Sequence, residues 1–470
     1  METPAPAAPA RSHRHALAFI AVTLLLDTIG FGLIMPVYPR LLVELTGQSL
    51  SQAAVYGGWL GFVYAAMQFL CAPVLGNLSD RYGRRRVILI AVGALAIDYV
   101  IMGFAPTLGW LFIGRAIAGA AGASFTPAYA YVADISPPER RAQNFGVVSA
   151  AFGIGFIIGP AIGGLLGTLG PRAPFFAAAM LSLINFSYGF FVLPESLPPE
   201  RRRAFEWRRA NPLGTLEQMR KHPVVVGLLC ALFLWGLGNQ VMPATWAFYT
   251  KLRFGWSEAM IGASFAAVGV VMASSQAIVM RLVVPRLGER RAALIGIIAG
   301  TAGYAGFGLA TASWMMFAWL GTWFFAAIVM PTMVALMSHR ISADAQGELQ
   351  GAVASLFSLA AIIGPPIMSH LFARFTAPES SIHVPGAAFL AAAESLPAKS
   401  HAGGPSLYKF ERGRARGLFC RWSHRRNDCP ARPAPARTAR SDRANLNRTL
   451  QRHQGDCRAN CPGTRCGLFA

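Results

Sequence analysis

Three ionisable side chains lie deep within long apolar stretches of this 470-residue chain: Asp27, Asp98 and Arg115. An ionised side chain at the centre of a bilayer costs at least about 2.5–3.5 kcal/mol, so such groups normally face a bundle interior and mark a substrate or proton path. Burial favours the neutral form of a carboxyl group, which brings proton uptake and release within reach. An acid that exchanges a proton for a cationic or metal-chelated substrate is a simple device for antiport.

Each of these side chains also has an ordinary structural interpretation. Asp27 could cap a helix that Gly30 and Gly32 loosen, and Asp98 could form a structural pair with a neighbouring polar group. Arg115 could anchor a charge network near the cytoplasm or pair with an acid. The sequence leaves both interpretations open for all three.

The composition is that of a membrane protein. Hydrophobic residues make up 54% of the chain, charged residues only 13%, and the mean hydropathy is +0.44. A soluble domain carries about 25% charged residues, so a cytosolic enzyme, a disordered protein and a secreted disulfide scaffold are all disfavoured. Since a helix needs about 20 mostly apolar residues to cross a bilayer, we predict eleven spans: 16–37, 54–76, 87–105, 109–133, 145–168, 173–193, 223–249, 258–280, 292–310, 313–337 and 351–373.

Lysine and arginine counts predict the orientation of these spans. In residues 1–390, twenty Lys and Arg residues fall on the side of the N-terminus, five fall on the other side, and Arg115 lies inside a span. Because positive loops stay in the cytoplasm, we expect a cytoplasmic N-terminus. The first stretch is too long for a signal peptide and contains Asp27.

The sequence repeats itself at an offset of about 205 residues. Gly83–Arg86 falls on Gly288–Arg291, Gly146 on Gly351, and Gly159-Pro160 on Gly364-Pro365. Six spans repeated in parallel predict two halves related by an axis along the membrane normal, with a substrate site near the midplane between them. We therefore divide the chain into a six-helix N-terminal half (1–193), a cytoplasmic central loop (194–222), a C-terminal half with an incomplete last span (223–393) and a basic tail (394–470).

Two motifs carry a family resemblance. The loop at 76–86 reads GNLSDRYGRRR, which resembles the G-x-x-x-D-R-x-G-R-R signature of the major facilitator superfamily, and 153–164 reads GIGFIIGPAIGG, which resembles the antiporter motif of its drug/proton branch. The resemblance implies a latch for the outward-facing state formed by Gly76, Asp80, Arg81, Gly83, Arg84 and Arg85. It implies an antiport role for Gly155, Gly159, Pro160, Gly163 and Gly164. A positive anchor for the loop and close helix packing for the glycines are the alternatives.

The chain resembles the tetracycline/proton antiporters more closely, from about residue 16 to about residue 390. The segments that carry this resemblance are LDTIGFGLIMPVYP at 26–39, AIDY at 96–99, RAIAG at 115–119 and QGELQG at 346–351. The resemblance implies that Asp27, Asp98 and Arg115 couple protons to substrate. In the family, positions such as Gln68 and Gln276 can line the substrate cavity, although interhelical hydrogen bonds would explain them equally well.

The expected molecule is an all-α integral membrane protein of the major facilitator fold. It would have two six-helix pseudo-repeats, with about 11 complete spans and a truncated twelfth. We expect a proton-coupled drug exporter in the bacterial inner membrane, monomeric, in contact with lipid, protons and a small-molecule substrate but not nucleic acid. No cofactor or protein-bound metal is expected, although the substrate could arrive as a magnesium chelate. An importer or uniporter of a small metabolite and a non-functional truncated transporter are the alternatives, and no enzyme site is visible.

Two positions depart from the family. Tetracycline exporters carry a third acid in the ninth span, where this chain has Gly300, and often a histidine in the eighth span, where it has Met272. The C-terminal half therefore lacks those ionisable groups, which leaves the substrate and the coupling stoichiometry open.

The last 80 residues do not continue the pattern. Residues 391–470 contain fourteen Arg and two Lys but no Ile, Val or Met, and the apolar run that should form a twelfth span stops near residue 390. We interpret this stretch as an out-of-frame reading of a GC-rich gene. A basic tail for nucleic acid or anionic lipid is the alternative; the spacing of Cys457, Cys461 and Cys466 does not match a usual zinc site.

Overall fold

The computed structural model describes residues 10–206, 223–342, 345–380 and 382–395, and the secondary structure within them is helical. Eleven helical segments in this part of the chain are long and apolar enough to cross a membrane, which confirms the predicted number of spans. The basic tail and its cysteines, and residues 207–222 of the central loop, lie outside the described residues.

Several spans consist of two helices in sequence. In chain order the helices are α1 (Ala10–Ile34), α2 (Tyr38–Thr46), α3 (Leu50–Tyr82), α4 (Arg84–Phe104), α5 (Leu108–Gly122), α6 (Phe125–Ile135), α7 (Arg141–Gly167), α8 (Ala173–Val192), α9 (Pro223–Asn239), α10 (Val241–Phe254), α11 (Glu258–Ile278), α12 (Val284–Leu287), α13 (Glu289–Leu309), α14 (Ser313–Ala326), α15 (Val329–Ser338), α16 (Gln346–Thr376) and α17 (Ala387–Ser395). A π-helical turn, Val279–Val283, joins α11 to α12.

The breaks between two consecutive helices of one span fall at matching positions in the two halves. α1 ends at Ile34 and α9 at Asn239, and α5 ends at Gly122 and α14 at Ala326, offsets of 205 and 204 residues. The helix that follows each interruption carries a proline in its first turn, where the missing amide hydrogen has no intrahelical acceptor in any case. These prolines are Pro39, Pro127, Pro243 and Pro331.

The signature segment 76–86 is mostly helical, so the prediction of a loop there was wrong. α3 continues to Tyr82 because nothing between Gly76 and Tyr82 breaks a helix, and polar residues alone do not end one. The chain turns only at Gly83, whose φ of +99° suits glycine. Gly288, 205 residues later, has the same backbone conformation with φ +78°.

Two pairs of helices form most of the contact between the halves in the described residues. α3 of the first half packs against α16 of the second, and α7 packs against α11. Within the first half α1 lies between α7 and α8, and within the second α13 lies against α14 and α17. This arrangement leaves a space between the halves.

The twelfth span is represented by α17, which has nine residues. Such a helix is about 14 Å long, about half the thickness of the hydrocarbon core of a bilayer. It is nevertheless well packed, because the fully buried ring of Phe389 contacts those of Trp246, Tyr249 and Phe307.

Candidate functional site

A cavity of about 430 Å³ lies between the halves. Its N-terminal wall comes from α1, α2, α3, α5 and α7, and its C-terminal wall from α9, α10, α11, α14 and α16. Among the predicted site residues, Gln68 and Arg115 line it. Gln276 is exposed and donates to the carbonyl oxygen of Ala327 at 3.4 Å; it is not among the cavity-lining residues.

One end of the cavity is closed by contacts between the halves. Ser51 Oγ on α3 donates to the carbonyl oxygen of Thr376 on α16 at 3.0 Å, and Thr376 Oγ1 donates to Ser51 Oγ at 2.8 Å. Further along α3, Gly58 lies against Ser369, where a Cβ atom would come within 2.0 Å of the serine Oγ. We call this the closed end.

The antiporter-like segment of α7 contributes to the same closure. A Cβ atom on Gly164 would lie 2.4 Å from the carbonyl oxygen of Glu258 on α11, and one on Gly262 of α11 would lie 2.2 Å from that of Pro160. Three other residues of the segment, Gly155, Gly159 and Gly163, face α1 within their own half. These glycines therefore serve both packing inside a half and contact between halves.

The opposite end carries the signature segment. Within the described residues, a Cβ atom added to Gly146 or Gly153 of α7, or to Gly347 of α16, would meet no atom within 4 Å. We call this the basic end. Among the described helices, the close contacts between the halves given above lie toward the closed end.

Asp98 and Arg115 form a buried pair beside the cavity. Arg115 Nη2 lies 3.6 Å from Asp98 Oδ2, and the two side chains are 7% and 0% exposed. The guanidinium group also lies 5.6 Å from the ring centre of Tyr64 and donates to the Met102 sulfur at 3.3 Å. Within the described structure, neither carboxylate oxygen of Asp98 has a hydrogen-bond partner, so this acid is held by charge rather than by a full set of hydrogen bonds.

Asp27 lies one helical turn from the cavity-lining Phe31 and is 9% exposed. One turn away on the other side, Thr23 donates to Asn185 Oδ1 at 3.2 Å. In the described part of the chain, Asp27 Oδ1 has no hydrogen-bond partner, and the Asn185 side chain interacts with the Asp27 carboxyl group. Sequence reasoning missed Asn185, although an asparagine inside the apolar sixth span was a visible signal.

The signature residues form a network at the basic end. Arg84 pairs with Asp80, and its Nε lies 3.2 Å from Asp134 Oδ2. The backbone amide of Arg84 donates to Glu195 Oε1 at 2.8 Å, and Arg85 donates to the carbonyl oxygen of Phe190 at 2.6 Å. All these partners belong to the first half or to the segment that follows it, so the network does not bridge the halves in this conformation.

The other signature residues contribute less. Arg81 is exposed, with its guanidinium 5.0 Å from the ring centre of its neighbour Tyr82. Gly76 lies against Thr126 of α6, where a Cβ atom would be 3.2 Å from the threonine methyl group.

The position of the missing third acid is filled by an aromatic ring. A Cβ atom on Gly300 would lie 2.6 Å from Trp235 Cη2. Near this ring, Tyr304 donates to Asn239 Oδ1 at 2.8 Å, and Asn239 donates to the carbonyl oxygen of Trp235 at 2.8 Å. Neutral aromatic and amide groups thus occupy the region, and Met272 lines the cavity.

Comparison with known proteins identifies the family to which the chain is similar. The model of the Major Facilitator Superfamily matches residues 20–392. The class C tetracycline resistance protein of Escherichia coli is 43% identical over 359 residues, which cover 76% of this chain and 90% of that protein. The class G protein of Vibrio anguillarum is 39% identical over 360 residues, covering 74% and 88%.

Two solved structures have a similar fold. The human organic anion transporter MFSD10 (TETRAN) superposes with a TM-score of 0.61 at 25% identity, covering 83% of this chain and 98% of that one. A bacterial homologue of the human lysosomal transporter Spinster, in an inward-facing and occupied conformation, gives a TM-score of 0.66 at 16% identity, covering 83% and 96%.

Proposed function

We propose that this chain, which belongs to the Major Facilitator Superfamily and within it to the tetracycline resistance proteins, exports a drug-like small molecule in exchange for protons. It is a secondary transporter and a multi-pass bacterial membrane protein. Tetracycline, named in its relatives, is the first substrate to test. The observation that carries the proposal is a cavity between two halves that touch at one of its ends, with the buried Asp98–Arg115 pair beside it.

Proton coupling would use the two buried acids. Asp98 in its ionised form is held by Arg115 at 3.6 Å, and its protonation would release the guanidinium toward the cavity that Arg115 lines. Asp27 lies one turn beyond the cavity-lining Phe31. Since burial of an unpaired ionised acid is costly, each acid would take up a proton when it loses its partner or its access to water.

In alternating access, the cavity would open first at the basic end and then at the closed end. With the N-terminus in the cytoplasm, the basic end faces the cytoplasm and the described conformation receives substrate from inside the cell. Closure would bring the uncovered small residues of α7, Gly146 and Gly153, toward α11, and opening would separate Ser51 from Thr376. Asp80 and Arg84 would then latch the halves at the basic end. The unit that does this is a monomer surrounded by lipid.

The truncated twelfth span favours a second candidate, a transporter that has lost activity. The described part of the last span, the nine residues of α17, is too short to cross a bilayer. Sequencing the 3′ end of the gene and restoring an in-frame twelfth span, if another frame contains one, separates the two candidates. Drug export by the parent chain would show that the parent is active. Export only by the restored chain would show that the parent has lost activity.

The proposal is tested by uptake of labelled tetracycline into energised everted vesicles. We expect uptake by the parent that a protonophore abolishes, and loss of most of this uptake in Asp98→Asn. Glu44→Gln, which removes an exposed acid outside the spans, is the matched control and should behave as the parent. Uptake that is insensitive to the protonophore, or equal in Asp98→Asn, contradicts proton coupling.

A further inference from the structure

A small polar cluster lies inside the first half, where α1 packs against α8. Its members are Thr23 and Asp27 on α1 and Asn185 on α8, which are 2%, 9% and 1% exposed. Residues four apart lie on the same face of a helix, so Thr23 and Asp27 share one face of α1. Burial of an amide is costly unless the amide is hydrogen-bonded, and this amide lies beside a buried acid.

Asn185 interacts with both residues of α1. The Thr23 hydroxyl donates to Asn185 Oδ1 at 3.2 Å, and the Asn185 side chain interacts with the Asp27 carboxyl group. Because Thr23 holds the Oδ1 edge of the amide, the Nδ2 edge is left for the next turn of α1, where Asp27 lies. Thr23 therefore sets the orientation of the amide beside the acid.

This amide suits an acid that changes its protonation state. An amide both donates and accepts hydrogen bonds, and so does a hydroxyl group. Asn185 Nδ2 can donate to Asp27 when the carboxyl group is ionised. When the carboxyl group is protonated, it can donate to Oδ1 once the amide has turned over, and the Thr23 hydroxyl can then accept from Nδ2. A fixed charge in place of the amide would favour only one of the two forms.

The other neighbours of Asp27 are less suited to this role. Tyr64 of α3 and Tyr99 of α4 interact with Asp27 electrostatically, but a phenol is uncharged at neutral pH. Helix α7, which packs along α1, approaches it through glycines that have no side chain to donate or accept a hydrogen bond: Gly155, Gly159 and Gly163.

We propose that Asn185 is a positioning residue for Asp27, and that its amide, oriented by Thr23, holds the carboxyl group in both its ionised and its protonated form. The inference rests on the proposed function, since it deepens the role given there to Asp27. The alternative is a hydrogen bond that only joins α1 to α8, and it makes different predictions.

Infrared spectroscopy of the purified full-length chain tests the contact. In difference spectra between acidic and alkaline samples, the carbonyl band of a protonated carboxyl group that Asp27→Asn removes belongs to Asp27. Asn185→Leu, which keeps the size of the side chain, should move this band to higher frequency because the protonated acid loses its hydrogen bond.

Variants of Thr23 and a control on α8 complete the spectroscopic test. Thr23→Val should move the Asp27 band in the same direction, because the amide is no longer oriented. Thr23→Ser keeps the hydroxyl group and should leave the band in place. Ser187→Ala removes an exposed hydroxyl group from α8 and should also leave it in place.

Two transport assays in vesicles separate positioning from structure. Proton-coupled uptake of tetracycline should fall about five- to tenfold in Asn185→Leu, the equivalent of one hydrogen bond, while Thr23→Ser should behave as the parent. Exchange of labelled for unlabelled tetracycline without a proton gradient needs no net proton movement. Adding Asn185→Leu to Asp27→Asn should leave this exchange unchanged, since the carboxyl group that Asn185 serves is already absent.

Three results overturn the inference: an Asp27 band that stays in place in both Asn185→Leu and Thr23→Val, the absence of any band that Asp27→Asn removes, or exchange that Asn185→Leu slows in the Asp27→Asn chain. The infrared result does not depend on export. A band shift in a chain that exports no drug would defeat the proposed function and leave this inference standing.

Discussion

At the scale of single residues, the buried charged side chains have few hydrogen-bond or ionic partners. Asp98 is fully buried and has one ionic partner, Arg115, while Asp27 lies near the Thr23–Asn185 pair. Removing one member of a buried pair leaves an uncompensated charge, whereas replacing both members can be nearly neutral.

The Asp98–Arg115 pair therefore predicts a strong coupling in stability. Arg115→Gln should lower the unfolding midpoint in detergent, since an unpaired buried charge costs about 3–5 kcal/mol. Adding Asp98→Asn should recover much of that loss. Thermal unfolding of the two single variants and the double variant measures the coupling; a double variant as unstable as the sum of the singles would show that the two side chains do not interact.

At the scale of helices, the sequence predicted most of the fold and part of the site. The eleven spans and the 205-residue repeat could be predicted because the length of an apolar stretch and the spacing of repeated motifs can be taken directly from the sequence. The interruptions within spans could not, although Pro39, Pro127, Pro243 and Pro331 mark them, because a proline inside an apolar stretch can bend a helix or begin a new one. The cavity wall depends on the relative placement of both halves, so the lining residues of the second half, such as Trp323, had no sequence signal.

Close packing in α13 gives a second prediction. Gly300→Ala should lower the unfolding midpoint, because the new Cβ would lie 2.6 Å from Trp235 Cη2. Gly321→Ala, the same change at a helical glycine where the described structure places no atom within 4 Å, is the control. It should be neutral or stabilising, since alanine favours a helix over glycine by about 1 kcal/mol. Equal effects at the two sites would refute the packing argument.

The basic-end network gives a third prediction. Arg84→Ala removes the contacts with Asp80 and Asp134 and should reduce drug uptake in vesicles several-fold. Arg86→Ala removes the same charge from an exposed neighbour and should have little effect. Uptake that falls equally in both variants would show that only the positive charge of the segment matters.

At the scale of the whole molecule, hydrogen bonds and close packing join the two halves at the closed end. Cysteines in place of Ser51 and Thr376, whose side-chain oxygens lie 2.8 Å apart, should form a disulfide on oxidation and stop transport until reductant is added. A protease site in segment 207–222 lets a non-reducing gel show the linked halves. The parent chain, with its own cysteines, is the control. Transport that continues at full rate with the disulfide formed would mean that the closed end does not have to open.

Proton-coupled export is tested most directly by measuring proton release from energised everted vesicles when tetracycline is added. The parent and Asp27→Asn are compared, each with and without magnesium. We expect release by the parent in at least one of the two conditions and none by Asp27→Asn at equal expression. Equal release by both chains would contradict this expectation by removing Asp27 from the proton path. Drug uptake by the parent without any proton movement would contradict the coupling itself.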